Sequence, residues 1–334
     1  MKAIAPGKLI LSGEHAVVCG RPALAMAIDR SVEAVITPAA GDAISFDLAD
    51  YRETESFTLR ALEEMKRRIA KSYRLFLDGD LSIREVLRKP VELLEFAFIN
   101  ILDGLHLKLA GGLDVRVKSS IPIGCGLGSS AASVLSMVRA VGHYFRVDFR
   151  PDWYYAYSIE VEKMQHGHPS GVDSYVSLHG GAARFQDGRA SKIPLPRLPL
   201  ALVNTGTPET TTGECVAAVR ARFAQSAVWD EFGRVTDAME GALREDRRDD
   251  VAACVRENHR LLREIGVVPD RVAAFVDEIE RAGGAAKICG AGAVRGDAAG
   301  AVMVCGARPT PALCAAYGYR MEPVRGEPLG VRVV

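Results

Sequence analysis

Residues 121–132 read IPIGCGLGSSAA, and what flanks this stretch decides the fold. Before it, Leu113, Val115 and Val117 alternate with Asp114, Arg116 and Lys118, the period of two expected of a strand. After it, Ala131, Ala132, Val134, Leu135, Val138 and Val141 recur at the spacing of one helical face. The glycines are therefore expected on a strand-to-helix turn. Gly124, Gly126 and Gly128 remove side chains where the backbone must turn or let a ligand approach. Ser129 and Ser130 are expected to open the helix, with hydroxyls that cap free N–H groups. A helix start with bare amides and a favourable dipole attracts anions, phosphate above all. The stretch is not a Walker A loop, because no Gly-Lys-Ser or Gly-Lys-Thr follows the glycines. Nor is it the dinucleotide fingerprint, since Ser129 stands where a third glycine is required. A tight structural turn with a serine cap accounts for the same residues, so both readings stand on this stretch alone.

Composition narrows the class. A chain of 334 residues suffices for one large domain or two lobes, and its 48% hydrophobic and 25% charged residues are ordinary for a globular protein. Lys plus Arg equals Asp plus Glu at 42 each, so no basic excess points to nucleic acid or an anionic membrane. Seven cysteines include no Cys-x-x-Cys pair, and the odd number argues against a disulfide framework. Free thiols fit a reducing compartment. The opening MKAIAPGKLILSGEH meets Pro6, Gly7, Lys8 and Glu14 too early for a signal peptide's apolar core. No run approaches the roughly 18 apolar residues of a membrane span. A soluble cytoplasmic protein is expected.

Along the chain, Leu9–Leu11 and 31–38 read as strands, with a short apolar run at 16–18 between them. Residues 53–109 are largely helical in pattern: Leu62, Met65, Ile69 and Phe76 share one face, and VELLEFAFINIL (91–102) is apolar nearly all round, as in a buried helix. A helix is expected to end near 160–164, where His166-Gly167-His168-Pro169 breaks it. Asp173 then reads as a helix cap or first-turn carboxylate. The segment 186–199, QDGRASKIPLPRLP, is rich in Pro, Gly and charge and marks a boundary between an N-terminal lobe (1–185) and a C-terminal lobe (186–334). Beyond it a strand (200–203), helices at 215–223, 238–243, 251–265 and 271–281, and a strand at 301–304 are expected. Early strands followed by helices indicate an α+β architecture. A second glycine cluster, with Gly290, Gly292, Gly296 and Gly300, suggests phosphates held between lobes.

Three blocks in this order, APGKLILSGEHAVVCG (5–20), PIGCGLGSSAAS (122–133) and KICGAGAVRGDAAG (287–300), resemble the GHMP small-molecule kinase family. The pieces GEHAVV, HGHPSGVDSYVSLHGGAARF (166–185), NTGTPETTTGECVAAVRAR (204–222) and ENHRLLREIGV (257–267) are most similar to the branch of that family that phosphorylates mevalonate. The resemblance covers most of the chain, residues 42–109 excepted. It implies a two-lobed α+β fold, with an N-terminal lobe like ribosomal protein S5 and a ferredoxin-like α/β C-terminal lobe.

The resemblance also implies roles. Pro122, Gly124, Gly126, Leu127, Gly128, Ser129 and Ser130 would wrap the phosphates of ATP, with Gly290 and Gly292 contributing from the third block. Ser130 and Glu162 would hold Mg²⁺, a cation that prefers oxygen ligands. Asp173 would stand by the attacking hydroxyl of mevalonate as base or electrostatic anchor, and Lys8 beside it would stabilise a developing alkoxide. Glu14 and His15 match substrate-contact positions, and a homodimer is the family's expectation. The third block departs from the family, which is richer in glycine there and commonly has threonine in place of Cys289. Arg295 could reach a phosphate, since its fork suits such oxygens, but pairing with Asp297 at the surface is the expectation. A kinase of the same family acting on phosphomevalonate or another alcohol is the nearest rival, and a non-catalytic ligand sensor the next.

Overall fold

The computed structural model describes residues 1–49, 53–122 and 124–334, so Ile123 of the glycine-rich stretch lies outside the described residues. The chain opens with β1 (Lys2–Ser12), a 3₁₀ turn at Ala16–Cys19 and the 17-residue β2 (Ala23–Ala39), then β3 (Ile44–Leu48) and β4 (Glu53–Phe57). Helices α1 (Leu59–Asp78) and α2 (Glu92–Gly104) follow, separated by a 3₁₀ turn at Ile83–Glu85, and then β5 (Gly112–Ser119). Next come α3 (Ser129–Tyr144), α4 (Pro151–His166), α5 (Val172–His179) and the hairpin β6 (Ala182–Gln186) and β7 (Arg189–Ile193). The remainder runs β8 (Leu200–Asn204), α6 (Thr212–Phe223), α7 (Val228–Arg244), α8 (Arg248–Glu264) and α9 (Asp270–Arg281). It closes with β9 (Gly284–Cys289), β10 (Ala301–Gly306), α10 (Pro311–Tyr317), β11 (Arg320–Val324) and β12 (Arg332–Val333).

Among the described residues the strands form two sheets, so the expected mixed α+β, two-lobed architecture is what the chain adopts. The larger sheet has eight strands with the path β12-β1-β2-β5-β3-β4 and the β6–β7 hairpin attached to β2. The long β2 makes this possible. Its first half pairs with β6 and its second half with β5, while β1 runs antiparallel along both. The smaller sheet is antiparallel, in the order β11-β8-β10-β9. The composition-based boundary at 185/186 falls at the β6–β7 hairpin, and the smaller sheet begins at Leu200. The chain's end returns to the first sheet, where β12 pairs with β1.

Local chemistry explains most elements. The apolar segment 91–102 lies within α2 as a buried helix, packed against α1, α3 and α4. Thr58 caps α1 by accepting from the Ala61 N–H, and Gly79 ends it in the left-handed conformation. The run in β10 is continuous rather than alternating because both faces are covered. Met303 and Cys305 join the larger core, while Val302 and Val304 join a second core with Ile288 and Phe275. The apolar run at 16–18 forms a 3₁₀ turn. Two expectations differ. Residues 53–57 form a strand, because pairing with β3 outweighs the helical pattern downstream. Helix α7 starts at Val228, well before 238, because Trp229 and Phe232 supply a buried face that the polar residues between them mask in the sequence.

His259 on α8 is buried, and neither ring nitrogen has a hydrogen-bond partner. Burial and the nearby Arg263 charge lower its pKa to about 4. A histidine with a depressed folded pKa is neutral in the native state, while the unfolded chain takes up the proton below about 6.5. Its contribution to stability is therefore whole above that pH and drains away as pH falls toward 4. Relative to a His259→Leu variant, the native chain should lose on the order of 2 kcal/mol between pH 7 and pH 5, read by denaturant unfolding at each pH. A pH-independent difference would contradict this.

Candidate active site

Lys8 sits in β1 just past a register shift between Pro6 and Lys8. The shift turns the strand against the glycine-rich loop, where the Lys8 N–H donates to the Leu127 carbonyl at 2.8 Å. Two glycines make that approach possible. A side chain at Gly7 would meet the Leu127 carbonyl at 2.9 Å, and one at Gly128 would meet Lys8 Cγ at 2.7 Å. The Lys8 ammonium, almost fully buried, lies 3.2 Å from Asp173 Oδ1. Asp173 is in the first turn of α5, where Gly171 supplies the left-handed cap. Residues 165 positions apart in the chain thus form one ion pair, and Asp173 keeps 35% of its side chain exposed.

The start of α3 differs from expectation in an informative way. Gly128, not a serine, occupies the cap position, and no side chain caps the helix. Ser129 and Ser130 are its first two residues. The Ser130 hydroxyl instead donates to Glu162 Oε2 at 3.2 Å. The first amides of a 16-residue helix are therefore left bare, the condition that favours an anion. Pro122 and Gly124 are exposed at the mouth of this turn, and Leu127 is buried beneath it.

Glu162, near the end of α4, is buried, and its Oε1 has no hydrogen-bond partner. Burial and the Asp173 carboxylate push its carboxyl up to about 8, against the Ser130 hydrogen bond and the Lys8 charge, which pull it down. His166 Nε2 stands 3.6 Å from Glu162 Oε2. Burial lowers the His166 pKa, so the imidazole is neutral and adds no cation here. A buried carboxylate oxygen without a partner, beside a serine hydroxyl, is a hard-oxygen donor set. Among the described residues no group of three or more His, Cys, Asp and Glu is placed to hold a metal on its own.

The two lobes meet backbone to backbone. A side chain at Gly126 would strike the Cys289 carbonyl oxygen at 2.6 Å, and one at Gly290 would meet Gly126 Cα at 3.2 Å. The Ala301 N–H donates to the Cys125 carbonyl at 3.0 Å, and Gly300 leaves room for that contact. Gly290 and Gly292 are both buried. Gly292 sits against the Val267 backbone, where the Ala293 N–H donates to the Val267 carbonyl at 2.9 Å. The sequence expects both glycines at the phosphates; the space that a Cβ would occupy at each is filled by protein. Arg295 and Asp297 are exposed, and among the described residues no ion pair joins them, contrary to the pairing expected from their spacing.

Glu14, expected at a substrate contact, has partners within the protein. It is buried, with one carboxylate oxygen on the Lys287 ammonium and the other accepting from Asn258 Nδ2 at 3.0 Å. Asn258 in turn accepts from the Ser12 hydroxyl at 3.1 Å. This network ties β1 and its following turn to α8 and β9, so the Glu14 carboxylate is engaged inside the protein. Sequence reading missed Lys287 and Asn258. The available signal was a lone lysine in the apolar run AAKIC, which a strand buried on both faces tolerates only with a partner. His15 has φ 53°, an unusual value for a non-glycine residue. Its Nε2–H donates to the Ala291 carbonyl at 2.9 Å, and Nδ1 is buried without a partner. Burial lowers its pKa, leaving Nδ1 a neutral acceptor.

Residues 92–181 match the family described as GHMP kinases N terminal domain. A mevalonate kinase of Thermococcus sibiricus is 28% identical over 96% of this chain and 98% of its own length. A mevalonate kinase of Mus musculus is 33% identical over 66% of this chain and 62% of its own. The solved Methanococcus jannaschii mevalonate kinase superposes with a TM-score of 0.80 at 25% identity, covering 98% of both chains.

The inter-lobe contact can be weighed by substitution. Gly41→Ala, at φ 76° with open space around it, should cost about 1 kcal/mol for the left-handed conformation alone. Gly126→Ala, at φ 74° against the Cys289 carbonyl, should cost about 1–3 kcal/mol more. Equal losses for the two variants in urea titrations would show that the lobes do not press together at Gly126.

Proposed function

The chain belongs to the GHMP kinase superfamily, and on that premise we propose that it transfers the terminal phosphoryl group of ATP to mevalonate, giving 5-phosphomevalonate and ADP. The observation that carries this reading is the Lys8–Asp173 pair beside the uncapped start of α3. In this reading the loop from Gly124 to Gly128 and the uncapped start of α3 at Ser129 and Ser130 cradle the ATP phosphates, with Pro122 and Leu127 shaping the loop. Asp173 accepts the proton of the attacking hydroxyl as that oxygen bonds to the γ-phosphorus, and the bond to the ADP oxygen breaks. Lys8 stabilises the developing alkoxide and offsets charge on the transferred group. His15 Nδ1, an unpartnered acceptor, is assigned to the substrate side.

Ser130 and Glu162 would hold Mg²⁺, and their donor atoms fit it: a hydroxyl and a buried carboxylate oxygen with no protein partner. Magnesium commonly binds through one or two carboxylates plus substrate phosphates, where it neutralises phosphate charge. A cytoplasmic location is proposed from the odd cysteine count and the lack of any Cys-x-x-Cys pair, which fit a reducing compartment. A homodimer is proposed from the family alone.

Arg295, exposed and without an ion-pair partner among the described residues, favours a phosphorylated alcohol such as phosphomevalonate as the second reading. A coupled ADP-release assay over a panel of alcohols separates these, and turnover with none of them would leave a ligand-binding member of the family. Asp173→Asn should lower kcat by about 10²–10⁴-fold while ATP still binds. Near-normal turnover would remove Asp173 from its assigned role. Glu162→Gln should raise the magnesium concentration needed for ATP binding at least about tenfold, as followed by calorimetric titration.

A further inference from the structure

The turn between α4 and α5 has an unusual backbone geometry. At Gly167 the backbone takes φ 72° and ψ −66°, and the His168 N–H donates to the His166 carbonyl at 2.8 Å. This is the rare left-handed form of the three-residue turn. Such conformations persist only where their surroundings over-determine them. Glu162 and His166 lie immediately before the turn, and Asp173 follows shortly after. Any slack at Gly167 would therefore shift the two carboxylates relative to each other and to Lys8.

The surroundings that hold the turn come from α1, in the part of the chain that resembles no family block. Tyr73 Oη donates to the Gly167 carbonyl at 3.0 Å. The Tyr73 and Phe76 rings stack with centroids 5.8 Å apart, and Phe76 lies 6.0 Å from the His168 ring. A side chain at position 167 would meet Phe76 Cζ at 2.7 Å and Ile83 Cδ1 at 3.7 Å. The outer end of this segment is anchored too. Ser82 and Glu85 form a capping box on the 3₁₀ turn, and Arg84 pairs with Glu214 at the start of α6 in the other lobe.

We propose that the C-terminal end of α1 is a clamp on the turn that carries Asp173, with Tyr73 and Phe76 as positioning residues for the phosphoryl transfer. The proposal rests on the reading of Asp173 as a catalytic group. Tyr73 touches no reacting atom and acts through the Gly167 carbonyl. Phe76 fills the volume that would let the turn relax to ordinary dihedral angles. Tyr73→Phe isolates the effect, since it keeps the half-buried ring and its stacking and removes only the hydroxyl.

The test combines hydrogen exchange and kinetics on the full chain. In Tyr73→Phe, and in Phe76→Leu as a second variant, the amides of residues 167 and 168 should exchange about tenfold faster, with α3 and β9 unchanged. For mevalonate phosphorylation kcat should fall about five- to tenfold while KM for ATP stays within about twofold, the pattern of a group misplaced in the transition state. Unchanged exchange at the turn, unchanged kcat, or faster exchange spread over all of α1 and α4 with a matching fall in melting temperature would each overturn the clamp. If the native chain phosphorylates no mevalonate, the functional reading fails, and the exchange data still decide whether Tyr73 holds the turn.

Discussion

The structure depends on two backbones passing closer than any side chain would permit. At Gly7 and Gly128 the first strand presses against the glycine-rich loop, and at Gly126, Gly290 and Gly300 that loop presses against the second lobe. Removing Cβ atoms lets amides and carbonyls meet directly, as in the bonds from Lys8 to Leu127 and from Ala301 to Cys125. The loop is consequently held from both sides, and among the described residues no side chain caps the start of α3. A helix start held this way would receive an anion at low entropic cost.

Around that loop the charges are arranged in pairs of unequal fate. Lys8 and Asp173 meet at the cleft with the carboxylate partly open to solvent. Lys287 and Glu14 meet in the interior, and Asn258 Nδ2 donates to the other carboxylate oxygen. The first pair can exchange its partner for a substrate. The second cannot, because a buried charge that loses its counter-ion is left uncompensated at a cost of about 3–5 kcal/mol. Glu162 belongs to neither class. Its burial beside Asp173 disfavours its charge until a cation is near, so the donor atoms and the electrostatics both suit a metal ion carried in with phosphates.

Much of this was legible in residue order. The period of two before residue 121, the helical spacing after it and the glycines between them locate the turn, and all three features appear where expected in β5, the loop and α3. Lys8, Ser130, Glu162 and Asp173 converge as the family blocks implied. Capping by Ser129 and Ser130 was misread, because local preference for a serine cap yields to the geometry that Gly128 provides and to the competing carboxylate of Glu162. The partner of Glu14 was not legible at all: its neighbour His15 bonds to the Ala291 carbonyl, and a lysine more than two hundred residues away engages the carboxylate.

By itself the sequence determined most of the elements, the α+β class, the glycine-rich turn before α3 and the kinase family that its blocks resemble. These follow from periodicity, from glycine's freedom at positive φ and from runs of residues read in order, all of which are local properties. Only the tertiary structure decided which polar groups face the cleft and which are consumed within it. It also decided that the aromatic end of α1 grips Gly167, and that Gly290 and Gly292 serve packing. Those outcomes depend on which distant groups reach a given lone pair or cavity first, and sequence spacing carries no information about that competition.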